Sequence, residues 1–131
     1  MRTVIVDDDF TSRLFLQTFL ARFGECHIAV NGVEAVAAFR MATDKGSPYD
    51  LICLDIMMPE MDGQEALRLV RALEEARGVA PNHGVKIVMT TALREMKDLA
   101  RSFDALCDAY LVKPIDTAAL IRQLRSFQLV E

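Results

Sequence analysis

Three consecutive aspartates, Asp7-Asp8-Asp9, follow the apolar run Thr3-Val4-Ile5-Val6. A lone aspartate, Asp55, closes a second apolar run, Leu51-Ile52-Cys53-Leu54. The hydroxyls of Thr90-Thr91 end another, and Lys113-Pro114 cuts off the last. Carboxylates brought together repel and raise one another's pKa unless a cation compensates. A hard divalent ion suits oxygen donors, and Mg²⁺ fits a site with few carboxylates and room for water and phosphate. Lys113 adds a point charge and the Thr91 hydroxyl can donate a hydrogen bond. Acid cluster, Mg²⁺, ammonium and hydroxyl together suit a phosphoryl group in transfer. Asp55 is the candidate nucleophile, since a carboxylate can form an aspartyl-phosphate.

Each signal alone has a plainer reading. Aspartates after a strand cap helices, Asp55 can be a turn acid, Lys113-Pro114 can be a strand stop, and Thr91 says little. Position is what joins them.

Short apolar runs alternate with amphipathic stretches of helical length. Strands are expected over 3–6, 26–30, 51–54, 86–90 and 109–112. The first helix takes Asp9 or Thr11 as cap, carries Leu16, Phe19, Leu20 and Phe23, and ends at Gly24. Asn31 caps a second with Val33, Val36, Ala37 and Phe39. Asp62 caps a third through Leu67, Val70 and Leu73, ending near Gly78. A fourth is expected over 93–103, with Leu93, Met96 and Leu99 facing the core and Leu93, at its start, bordering the site. Asp116 caps the fifth, with Leu120, Ile121 and Leu124 inward. Nearly all-apolar strands alternating with helices imply an α/β domain with a doubly wound, five-stranded parallel sheet. Right-handed crossovers leave few topologies, and one of them is the order 2-1-3-4-5. All strand ends then share one edge, where open α/β sheets bind ligands, and strands one and three run about 4.8 Å apart. With that order Asp7, Asp8 and Asp55 converge there.

The 131 residues are 52% hydrophobic and 26% charged, which suits one folded domain over 1–131. With 15 Lys and Arg against 19 acids, the net charge of −4 argues against a nucleic-acid partner. No apolar run approaches the roughly 20 residues of a membrane span, so no membrane partner is expected. Cys26, Cys53 and Cys107 are odd in number and mostly in apolar surroundings, which reads as reduced thiols in a cytoplasmic protein. His27 is expected to pack on its strand, His83 to be solvated, and Met58 to pack beside the site.

As a set, these residues resemble the receiver domains of bacterial two-component response regulators, of the stand-alone, chemotaxis-regulator-like kind. The resemblance rests on Val4-Ile5-Val6-Asp7-Asp8, Leu54-Asp55-Ile56-Met57-Met58-Pro59, Met61-Asp62-Gly63, Thr91-Ala92 and Tyr110-Leu111-Val112-Lys113-Pro114. It implies a flavodoxin-like fold with five helices and a signalling switch rather than an enzyme with a separate substrate. Asp55 matches the phosphoacceptor, served by a sensor histidine kinase or phosphotransfer protein. Asp8, Asp55 and the Met57 carbonyl match the Mg²⁺ ligands, with Asp7 acting indirectly. Thr91 and Lys113 match the phosphoryl-contacting pair and Tyr110 the aromatic switch residue. The responsive surface is the fourth helix, fifth strand and fifth helix, acting on an unknown downstream protein. A monomer or weak dimer without an output domain is expected.

Two departures stand out. Met57 and Leu93, which flank the water approach to the phosphoryl group, are apolar, and Met57 stands where many members carry a polar residue. The segment 77–84 is longer than the usual connection. An alternative is a Mg²⁺-dependent phosphatase of the haloacid-dehalogenase-like class, but that chemistry wants an acid where Met57 stands. A flavodoxin-like or nucleotide-binding module would need a Gly-rich turn after the first strand. Asp7-Asp8-Asp9-Phe10 occupies that place.

Overall fold

A computed structural model describes residues 1–92 and 106–131. In chain order the elements are β1 (Arg2–Val6), α1 (Phe10–Leu20), a 3₁₀ turn (Ala21–Phe23), β2 (Glu25–Ala29) and α2 (Gly32–Asp44). There follow β3 (Leu51–Asp55), α3 (Gly63–Ala76), β4 (Lys86–Ala92), β5 (Ala109–Lys113) and a C-terminal helix (Thr117–Ser126). The five strands form one sheet in the order β2-β1-β3-β4-β5, every pairing parallel. The described residues thus hold four α-helices; the helix expected over 93–103, with Leu93, Met96 and Leu99, lies outside them.

The helices begin where capping chemistry places them. The carboxylates of Asp9, Asp62 and Asp116 and the amide of Asn31 each accept a hydrogen bond from a backbone N–H of the first turn. Strand alternation separates two cores. Val4, Val6, Ile52, Leu54, Ile87 and Met89 face α2 and α3. Ile5, Leu51, Cys53, Val88, Ala109 and Leu111 face α1 and the C-terminal helix. Burial pushes the Cys53 thiol up to about 12. Cys53 and Cys107 are buried and Cys26 is half-buried.

Three expectations change. In α2 the inward face is Ala35, Phe39 and Ala42, while Val33 and Ala37 are exposed. Helical spacing from Phe39 selects Ala35, and small residues let α2 pack closely on α3. In the C-terminal helix Leu120 and Leu124 are buried but Ile121 is only half-buried. β4 runs two residues further than expected, so Thr91 lies inside the strand.

The 77–84 segment is anchored by a polar network at the edge where β4 begins. Arg71 donates to the carbonyls of Leu106 and Val85, each at 2.8 Å. It also pairs with Glu74 at 2.7 Å and Asp108 at 3.0 Å. The buried Glu74 accepts from the Val85 N–H at 2.7 Å. These ionised hydrogen bonds compensate one another's loss of water, as a buried charge requires.

Candidate functional site

The site is built from three strand ends. Continuing the alternation one step beyond Ile5, Cys53 and Leu111 puts Asp7, Asp55 and Lys113 on the sheet face that packs α1 and the C-terminal helix. β3 lies beside β1, and Asp55 is in register with Thr90 of β4. Carboxylate oxygens of Asp7, Asp8 and Asp55 lie within 4.8 Å of one another; Asp7 and Asp55 are buried and Asp8 is exposed. The Lys113 ammonium reaches in from β5, 2.9 Å from Asp7 Oδ2 and 3.4 Å from Asp55 Oδ2.

The electrostatics follow from this crowding. Burial first, and the Asp7 charge second, push the Asp55 carboxyl up to about 7, although Lys113 draws it back. Burial works against the Lys113 charge, but Asp7 and Asp55 outweigh it and the net shift is upward. The ammonium is therefore held protonated between two acids. Asp7 Oδ2 is fully buried and accepts no well-aligned hydrogen bond, so the nearby ion pair is its only compensation among the described residues. Three convergent carboxylates with one such under-compensated oxygen fit a small, hard dication.

Asp9 does not join the cluster. Its carboxylate caps α1, accepting from the Ser12 N–H at 2.9 Å and the Ser12 hydroxyl at 2.8 Å, and these bonds lower its pKa. Thr91 is fully buried, in register with Val112, and its hydroxyl donates to the Ala92 carbonyl at 3.2 Å. Tyr110 is half-buried and packs on the α2–α3 side. Met57 is 58% exposed just beyond β3, while Met58 packs on the core. Leu93 lies outside the described residues. His27 packs against Tyr49, its Nδ1 2.6 Å from the hydroxyl, and the exposed His83 lies in the 77–84 loop.

Two neighbours of the site were given no role there from sequence, although Gly63 lies in the Met61-Asp62-Gly63 motif. Gly63 opens α3 directly behind Asp55 and donates its N–H to the Ile56 carbonyl at 2.8 Å. Arg13 donates to the Asp7 carbonyl at 2.9 Å. Its signal in the sequence is a cation one turn into a helix, against the dipole.

A family model of the response regulator receiver domain matches residues 3–125. The chain belongs to that family. Receiver domains are phosphoacceptor signalling modules of two-component systems, which leaves the phosphatase alternative without support. The receiver domain is 31% identical to the hybrid signal transduction histidine kinase L of Dictyostelium discoideum, over 96% of this chain and 7% of that one. Among solved structures, it resembles one from Saccharomyces cerevisiae that holds the phosphotransfer protein Ypd1 with the receiver domain of its downstream response regulator Ssk1. That match has a TM-score of 0.80, 27% identity and coverage of 99% and 92% of the two chains. The CKI1 histidine kinase receiver domain of Arabidopsis thaliana, solved with Mg²⁺ and BeF₃⁻, matches at a TM-score of 0.72 and 30% identity, covering 95% and 89%. The chain spans between 3% and 46% of the length of such curated relatives. Among the described residues no helix is long and apolar enough to cross a membrane.

Proposed function

We propose that this receiver domain takes a phosphoryl group onto Asp55 from a phosphohistidine of a sensor histidine kinase or phosphotransfer protein in the cytoplasm. The N–P bond of the donor breaks with its electron pair returning to the imidazole, and an O–P bond forms at the Asp55 carboxylate. Asp8, Asp55 and the Met57 carbonyl would hold Mg²⁺ directly, and Asp7 would hold it indirectly. When bound, Mg²⁺ neutralises charge on the carboxylates and on the transferring phosphoryl group. Lys113 supplies the remaining positive charge from β5, and Thr91 supplies a hydroxyl donor. The same groups make the chain the catalyst of its own phosphorylation and hydrolysis. Rearrangement of Thr91 and Tyr110 would carry the change to β5, the C-terminal helix and the segment before them, and so to a downstream protein. A monomer or weak dimer suffices.

The observation that supports this reading is the convergence of three carboxylates within 4.8 Å beside the Lys113 ammonium. Intact-mass measurement with Mg²⁺ and acetyl phosphate should show one added phosphoryl group, absent in Asp55→Asn. Equal labelling of the Asn variant would move the acceptor elsewhere.

A further inference from the structure

We infer that Arg13 is a positioning residue for the Mg²⁺ site, holding the peptide plane from which Asp8 projects. The inference rests on the phosphoacceptor reading above. Arg13 stands one turn into α1, at the end of the helix that carries partial positive charge. A cation there weakly opposes the dipole, and it has a compensating partner. That partner is the Asp7 backbone carbonyl, which accepts from Nη1 at 2.9 Å. The guanidinium also lies 5.7 Å from the centre of the Phe10 ring, which holds it from a second side.

The Asp7 carbonyl belongs to the peptide that joins Asp7 to Asp8. Fixing its direction fixes the direction in which Asp8 carries its carboxylate. The Asp7 side chain has its own restraints, the Asp9 N–H at 2.9 Å on Oδ1 and Lys113 on Oδ2. Asp8 is exposed and its carboxylate accepts no hydrogen bond among the described residues. Its aim toward Asp55 therefore depends on the backbone, and through the backbone on Arg13. The guanidinium charge also repels a dication, so two effects of opposite sign compete. Groups that orient a metal's ligands are worth about 10–100-fold in affinity, and the half-buried guanidinium is only partly screened. Positioning outweighs the repulsion because the Asp7 carbonyl bond acts directly on the peptide that carries Asp8.

The test is calorimetric titration of Mg²⁺ into the full chain, as wild type, Arg13→Ala and Arg13→Lys, well below every melting transition. Thermal unfolding without Mg²⁺ runs in parallel. Arg13→Ala should weaken Mg²⁺ binding about tenfold with little change in metal-free melting. Arg13→Lys, which keeps a donor on a stem of similar length, should recover part of the loss. Unchanged or tighter binding in Arg13→Ala, with the wild type binding normally, overturns this inference alone. A wild-type chain that binds no Mg²⁺ overturns the proposed function and this inference with it.

Discussion

Gly63 sits hard against the backbone of Asp55: a Cβ at Gly63 would overlap the Asp55 carbonyl oxygen and come within 2.9 Å of the Ile56 Cα. The first turn of α3 thus buttresses the strand end that presents the candidate acceptor. Glycine to alanine inside a helix ordinarily stabilises by about 1 kcal/mol. Here the overlap is with backbone, which cannot swing aside, and overpacking costs about 1–3 kcal/mol. Gly63→Ala should therefore lower the melting temperature and slow phosphorylation of Asp55. A melting temperature above wild type would show that β3 can retreat freely.

The raised Asp55 carboxyl makes stability depend on pH. Burial and Asp7 lift it from 3.8 to about 7. The folded form then holds this proton to higher pH than the unfolded form does. Its contribution is full below the unfolded value and is lost as pH rises through the folded one. Metal-free protein should lose stability from this group between about pH 4 and pH 7. Mg²⁺ binds the deprotonated carboxylates, so it should raise the melting temperature more at pH 8 than at pH 5. Equal Mg²⁺ stabilisation at both values would contradict the convergence of these acids on a metal.

Asp8 and Asp9 are adjacent but do different work. Asp8 faces Asp7 and Asp55, whereas Asp9 is tied to Ser12 as the α1 cap. Asp8→Ala should weaken Mg²⁺ binding and slow phosphorylation with little loss of helix stability. Asp9→Ala should lower the melting temperature and leave Mg²⁺ affinity much less affected. Titration and thermal unfolding of both variants check this, and equal effects on Mg²⁺ would place Asp9 in the metal site.

Hydrolysis of the phosphorylated state needs a water in line with the departing carboxylate. Met57 is exposed two residues after Asp55 and cannot orient water by hydrogen bonds; Leu93, two residues after Thr91, has the same chemistry. The phosphorylated state should be long-lived. Met57→Asn with Leu93→Glu should shorten it several-fold while phosphorylation still occurs, as measured by phosphoprotein decay in Mg²⁺ after donor removal. Unchanged decay would show that these side chains do not govern the water.

Much of the site was legible in the sequence because its residues follow apolar runs whose length and composition mark strands. Asp7 directly follows β1, Asp55 and Lys113 end β3 and β5, and parallel pairing needs no more than that to bring them to one edge. Caps were equally legible, since Asn31, Asp62 and Asp116 act through backbone within their own first turn. Tertiary structure alone decided contacts between different elements. Periodicity does not tell which face of α2 meets α3, and there Ala35 faces inward while Val33 is exposed. Nor does it foretell that Glu74 is buried, because that depends on Arg71 and the Val85 N–H meeting it beneath the 77–84 loop. The same holds for Gly63 behind Asp55 and Arg13 on the Asp7 carbonyl. A strand or helix declares its own pattern locally, but steric fit and charge compensation exist only once two elements touch.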